Sequence, residues 1–245
     1  MIKKVIIIGA TSGIGRELAK LYAGSGNLVA ATGRRQELLY SLQLEYPNNI
    51  ITQCFDVTAN ENLSHLETMI TRMNGLDLLI YNAGYGDTSN ELNWEIDKIT
   101  VDTNVNGFIE IVNYTFNYFV RQSHGQLAAI SSIASTRGNG HAPAYSASKA
   151  FMSIYMEGLH IKAKKMNSPG NLGLQIAITD VQPGFVATKM AKGYGQFWVA
   201  PVEKAARQIY NAIEKKKWRV YITHRWWLIA KLLRCMPGSI YHRIG

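Results

Sequence analysis

Cysteine is scarce in this chain. Cys54 and Cys235 are the two in 245 residues, and neither sits in a C-x-x-C pair or a Cys/His cluster, so a disulfide framework and a structural zinc site are not expected. No metal is therefore expected, and a reducing, cytosolic setting fits best. Long apolar runs are also missing. The opening Val5-Ile6-Ile7-Ile8 stops at Gly9, too short for the apolar core of a signal peptide, and no segment approaches the ~18 uncharged apolar residues of a membrane span. There is no internal repeat, low-complexity tract or composition shift before about residue 215, which leaves one domain as the expectation.

Acidic residues are absent beyond Glu214. From there to the end stand eight cations (Lys215, Lys216, Lys217, Arg219, Arg225, Lys231, Arg234, Arg243), which account for nearly all of the net charge of +9. The remaining 214 residues carry 18 basic and 17 acidic side chains. The basicity thus belongs to the tail.

What the chain has is alternation. Short β-branched runs at Lys4–Ile8, Leu28–Thr32, Ile50–Cys54, Leu78–Tyr81, Gln126–Ile130, Leu174–Val181 and Arg219–Ile222 are separated by stretches of helical period. Helices are expected to start near Ile14, Arg35, Asn62, Leu92, Gly107, Tyr145 and Pro201. The pattern predicts an α/β fold of the Rossmann type, a doubly wound parallel seven-stranded sheet with helices on both faces. The expected division is a catalytic domain over residues 1–222 and a basic amphipathic tail over 223–245.

After the first strand comes Gly9-Ala10-Thr11-Ser12-Gly13-Ile14-Gly15. Glycines where a strand turns into a helix let backbone approach a pyrophosphate, and the helix N-terminus offers free N–H groups and partial positive charge. At the end of the second strand the chain reads Gly33-Arg34-Arg35, without the acid that would hold a free ribose 2′-hydroxyl. Arginine accommodates a 2′-phosphate instead, so NADP(H) is expected ahead of NAD(H), with Arg34 as the main contact and Arg35 as second choice.

Further on, Ser131-Ser132 is followed after twelve residues by Tyr145-Ser146-Ala147-Ser148-Lys149. Tyr and Lys four apart share a helix face, and a cation near a phenol lowers its pKa toward the range of an acid/base catalyst. This constellation, together with the glycine turn, Asp56-Val57, Asn82-Ala83-Gly84, Asn104-Val105-Asn106-Gly107, Pro183-Gly184 and Thr188, resembles the short-chain dehydrogenase/reductase family over roughly residues 3 to 220. The resemblance implies that Tyr145 exchanges a proton with a carbonyl/alcohol oxygen and that Lys149 lowers its pKa and holds the nicotinamide ribose. It also implies that Ser132 hydrogen-bonds the substrate oxygen and that Asn104 holds a water linking Lys149 to a proton relay. In the same way Asp56 and Val57 would lie against the adenine, and Asn82, Ala83, Gly84, Pro183, Gly184 and Thr188 complete the cofactor site. Plainer roles compete: Ser132 capping a strand end, Asn104 satisfying buried backbone groups, Asn82 tying strands together. Ile8 and Tyr81 stand where the family often has Thr and Asn. His141, Tyr85, Tyr194, Phe197 and Trp198 fall in segments that form the substrate pocket and its lid in relatives, suggesting a bulky or apolar substrate.

In the tail, Trp226, Leu228, Ile229, Leu232 and Leu233 share one side of a helical projection, with Lys231 and Arg234 opposite. Such a helix suits an anionic membrane surface, and equally a subunit interface of a homo-oligomer or a cover over the substrate cleft. Nucleic acid is not expected, for want of any groove-reading or base-stacking module. A nucleotide-sugar epimerase would need a longer C-terminal region. A catalytically silent NADP(H) sensor is the alternative from another class.

Overall fold

In the first strand, β1 (Lys4–Ile8), the side chains alternate between two faces, and Val5, Ile6, Ile7 and Ile8 are all wholly buried. A strand that is apolar on both faces requires cover on both, and two separate cores supply it. The computed structural model describes residues 2–88, 91–188 and 197–242. Val5 and Ile7 join one core with Leu18, Tyr22, Ile209 and Ile213; Ile6 and Ile8 join the other with Leu66, Phe108, Phe116 and Met152.

The first core lies under α1 (Gly13–Gly24), α2 (Gln36–Glu45) and α7 (Val202–Glu214); the second lies under α3 (Asn62–Met73), α5 (Gly107–Gln122) and α6 (Pro143–Asn167). Between them run β2 (Leu28–Gly33), β3 (Ile50–Cys54), β4 (Leu78–Tyr81), β5 (His124–Ile130), β6 (Gln175–Pro183) and β7 (Arg219–Ile222). The order is β3-β2-β1-β4-β5-β6-β7, every pair parallel. The doubly wound sheet expected from the alternation is thus present, with strand ends shifted by at most two residues. Chain direction across the sheet reverses between β1 and β4, and in such sheets ligands bind beside that switch point at the carboxyl edge.

Helix starts moved where caps decide them. α4 (Trp94–Val101) begins two residues after Leu92 because the Asn93 side chain accepts the N–H groups of Glu95 and Ile96. α6 begins at Pro143, not Tyr145, since proline suits a first turn. α4 then passes through a π-helical turn, Asp102–Asn106, straight into α5. α6 ends at the Ser168–Asn171 turn, as its Pro-Gly sequence suggests.

The tail forms α8 (Trp226–Cys235) and α9 (Gly238–Tyr241). Its inward stripe is Trp226 and Ala230, buried, with Ile229 and Leu233 half-buried. Leu228 and Leu232, expected on the same side, are exposed, because the apolar arc is wider than the strip of body it meets. Tyr241 donates to the Gly138 carbonyl (2.6 Å) and Arg137 lies over its ring, so the tail clasps the loop leading to α6. No helix among the described residues is long and apolar enough to cross a membrane.

Candidate active site

The glycine turn is pinned to β2 by Ala10 N–H on the Thr32 carbonyl (2.7 Å) and to β4 by Asn82, whose amide donates to the Gly9 carbonyl (2.6 Å). Asn82 therefore does the tying work weighed for it above. The glycines are required by close approach: a Cβ on Gly15 would sit 2.1 Å from the Gly9 oxygen, and one on Gly9 2.7 Å from Ala83. Thr188 packs over Gly13, 3.2 Å from where its Cβ would be. Ser12, at the N-cap of α1, makes no capping bond, so the first N–H groups of that helix keep their capacity for an anion.

Instead, the Ser12 and Thr11 hydroxyls accept hydrogen bonds from the Arg35 guanidinium. Arg34 points outward and pairs with Asp56 at 3.3 Å. Asp56 feels burial pushing its carboxyl up, but the Thr58 N–H and hydroxyl and the Arg34 cation together hold it below the usual range. Arg35, the second choice from sequence, is thus the arginine bonded to the turn. Gly33 has φ +155°, and a Cβ there would meet Thr11 at 2.6 Å, which shuts a ribose-binding acid out of that position. The glycine turn and the two guanidinium groups beside it have the chemistry to take a dinucleotide, which the turn would hold together with Arg34 and Arg35.

Across the switch point, Ser132 lies two residues beyond β5 and caps a 3₁₀ turn, Ile133–Thr136, by accepting the Ala134 N–H at 3.1 Å. Capping uses a lone pair and leaves the hydroxyl proton free, and the influence of that hydroxyl on Tyr145 is to draw the phenol down. Both roles weighed for Ser132 are therefore compatible. Ser131, one residue earlier, points the other way, to Asp180 (2.6 Å).

Tyr145 and Lys149 share one face of α6, the ammonium lying 5.8 Å from the phenol ring centroid. Lys149 donates to the Ile130 carbonyl at 3.0 Å and is almost wholly buried. The expected lowering of the phenol by Lys149 is not found: burial pushes Tyr145 up, opposed by the Ser132 hydrogen bond. Lys149 itself is pushed down to about 8 by burial, against the pull of Asp180. Low-dielectric surroundings penalise both charged forms, and at this separation they outweigh the mutual attraction.

Asn104, buried in the π-helical turn, accepts the Tyr85 N–H (2.9 Å) and donates to the Tyr85 carbonyl (2.7 Å) and the Ser148 hydroxyl (2.9 Å). Both of its amide protons are committed. The side chain thus satisfies buried backbone groups, the plainer role weighed for it, and holds the loop carrying Tyr85; a water of the relay would be held by the main chain of the turn. Gly86, missed from sequence, packs so closely that a Cβ would lie 2.2 Å from the Tyr145 ring.

A narrow cleft beside Tyr145 is bordered by His141, Ile96 and Thr100. Pro183 and Gly184 end β6 nearby, and Trp226 of the tail lies flat on Gly184, with Phe185 and Phe197 at ring distances of 5.5 and 5.0 Å and Trp198 at 6.0 Å. Tyr194 lies outside the described residues. No group of three metal-binding side chains occurs among the described residues.

The family described as short chain dehydrogenase matches residues 3–197. The chain belongs to that family. This short-chain dehydrogenase is accordingly an NAD(P)-dependent oxidoreductase acting on CH–OH groups. It is 36% identical over 195 residues to an uncharacterized oxidoreductase of Myxococcus xanthus, covering 77% of this chain and 74% of that protein. An Arabidopsis thaliana protein named 11-beta-hydroxysteroid dehydrogenase 1A is 30% identical over 253 residues, covering 92% of this chain and 69% of the other. Among solved structures, "ElxO with NADP Bound" superposes with a TM-score of 0.79 at 21% identity, covering 93% of this chain and 100% of that one. A short-chain dehydrogenase from Streptomyces avermitilis gives 0.78 at 23% identity over the full length of both. These two likenesses bear on the fold.

Proposed function

We propose that this short-chain dehydrogenase uses NADP(H) to interconvert a carbonyl and an alcohol on a bulky, lipophilic small molecule. One observation carries the reading: Tyr145 and Lys149 share one face of α6, the ammonium 5.8 Å from the phenol ring, and the Ser132 hydroxyl opposes the upward push of burial on that phenol. Bound NADPH supplies the hydride. As the hydride arrives, negative charge develops on the substrate oxygen; Ser132 donates a hydrogen bond to it and Tyr145 delivers the proton. Lys149 holds positive charge beneath the phenol and orients the ribose. Gly9, Thr11, Ser12, Gly13, Ile14 and Gly15 receive the pyrophosphate, Arg34 and Arg35 the 2′-phosphate. Asp56 and Val57 would border the adenine; Ala83, Gly84, Pro183, Gly184 and Thr188 would border the rest. NADP in a structure of the same fold supports the cofactor choice. The test is NADPH consumption across a panel of ketones and aldehydes of increasing chain length. Turnover that improves with apolar size is expected, and no turnover with any member would overturn the reading.

The pH dependence follows from the two shifts. Tyr145 keeps its proton at neutral pH, and Lys149 keeps its charge until pH rises through about 8. Carbonyl reduction, which needs the phenol protonated and the ammonium charged, is expected to run level in kcat/KM below that point and to decline above it. A profile rising through the same interval would contradict the assignment.

We further propose that the tail is the cover of the substrate cleft, since Trp226 joins Phe185, Phe197 and Trp198 in one aromatic cluster. Trp226→Ala is expected to cost ~3 kcal/mol of stability, measured by denaturant midpoint. It should raise KM for large carbonyls far more than for small ones. Equal KM changes would remove the tail from the cleft. Outside, Trp227, Leu228 and Leu232 are exposed beside Arg225, Lys231 and Arg234, which supports contact with an anionic lipid surface. Pelleting with anionic but not neutral vesicles is expected, and equal recovery with both would end that idea. Exposed Ile154 and Ile161 on α6 support self-association, to be read by light scattering.

A further inference from the structure

Asp180 lies in the middle of β6 beside the buried polar residues Thr179 and Gln182, and has no exposure at all. A buried carboxylate is tolerated when its lone pairs are filled, and here four donors fill them. Ser131 Oγ sits on one oxygen at 2.6 Å. Ser153 Oγ (2.7 Å), Gln182 Nε2 (2.8 Å) and Arg219 Nε (3.0 Å) sit on the other. These donors come from the residue after β5 and from α6, β6 and β7, and two of them bear directly on the reacting groups. Ser131 is the neighbour of Ser132. Ser153 continues the four-residue series Tyr145, Lys149, Ser153 along one face of α6.

We infer that Asp180 is a positioning residue that sets Ser132 and the Tyr145/Lys149 pair relative to each other and sustains the charge on Lys149; the catalytic part of this rests on the function proposed above. Geometry gives the first half: one carboxylate grips both the strand end that carries Ser132 and the helix face that carries the pair. Charge gives the second half. Lys149 has the Ile130 carbonyl and the Met152 sulfur as its polar contacts, both neutral. Tyr145 lies beside it on its own helix, and Asp180 from β6 is the charge that opposes the effect of its burial. Behind Asp180 stand Arg219 of β7 and Glu157 of α6, which pair at 3.1 Å. Arg219 offsets part of the field that Asp180 exerts on Lys149.

Opposite substitutions on this pair therefore move Lys149 in opposite directions. In Asp180→Asn the supporting charge is lost while the Arg219 cation stays, and the alkaline limb of carbonyl reduction should move down by about one pH unit. In Arg219→Met the carboxylate is unopposed, and the limb should move up. Ser153→Ala removes one hydrogen bond without a charge and should lower kcat while leaving the limb in place. If Asp180→Asn does not fold, the Arg219→Met and Ser153→Ala pair still decides. Lysine side-chain NMR, with Lys149→Arg to assign the signal, reads the same titration without substrate, so a chain inactive on every carbonyl would sink the proposed function and leave this inference still decided. Two charge variants that destabilise the fold but leave the Lys149 titration unmoved would overturn it.

Discussion

Tyr145→Phe should leave NADPH binding intact while lowering turnover by roughly 10²–10⁴-fold, the range that positioned proton transfer contributes. The substitution removes one oxygen and keeps the ring, which packs against Gly86, so the pocket keeps its shape. What is lost is the proton donor. Because Arg34, Arg35 and the glycine turn are untouched, NADPH affinity measured by fluorescence titration should stay within about twofold of wild type. Retained turnover would take Tyr145 out of the mechanism, and lost binding would mean that the ring supports the dinucleotide and not the chemistry. Gly86→Ala offers a companion case: its Cβ meets the same ring, so displacing the phenol without deleting it should also lower kcat.

The second large effect concerns the cofactor. With Arg34 and Arg35 both changed to Ala, the NADPH dissociation constant should rise by about 10²-fold or more, since each charge-assisted hydrogen bond contributes ~1.5–3 kcal/mol. The NADH constant should change little, because NADH has no 2′-phosphate to lose. Singly, Arg35→Ala also frees the Thr11 and Ser12 hydroxyls, whereas Arg34→Ala frees Asp56. Adding an acid at Gly33 is not a simple route to NADH use, because a side chain there collides with Thr11. Wild-type preference for NADH in the same titration would refute the assignment.

Much of this was legible in the residues. Strands buried on both faces announce themselves as short β-branched runs, and all seven were found within two residues of their expected ends. Tyr145, Lys149 and Ser132 come together as their spacing implies. Legibility failed where the outcome depends on competing partners. Two roles were open for Asn104, and its side chain takes the plainer one, because two backbone groups of Tyr85 and the Ser148 hydroxyl claim it. The phenol's shift was read from the nearby cation alone, without the burial that penalises both charges. Spacing marked the tail as amphipathic, yet which arc of it packs depends on the width of the surface beneath. The Asp180 network joins residues up to 88 positions apart, and its one trace in the sequence was an acid inside Ala177-Ile178-Thr179-Asp180-Val181.

Deuterium placed at the reactive C4 position of NADPH tests the central claim most directly, with mass spectrometry of the alcohol formed from a turned-over carbonyl. The account predicts that the label arrives on the carbinol carbon while the hydroxyl proton exchanges with water through Tyr145. Alcohol that forms without the label, or NADPH oxidised with no alcohol formed, would contradict it.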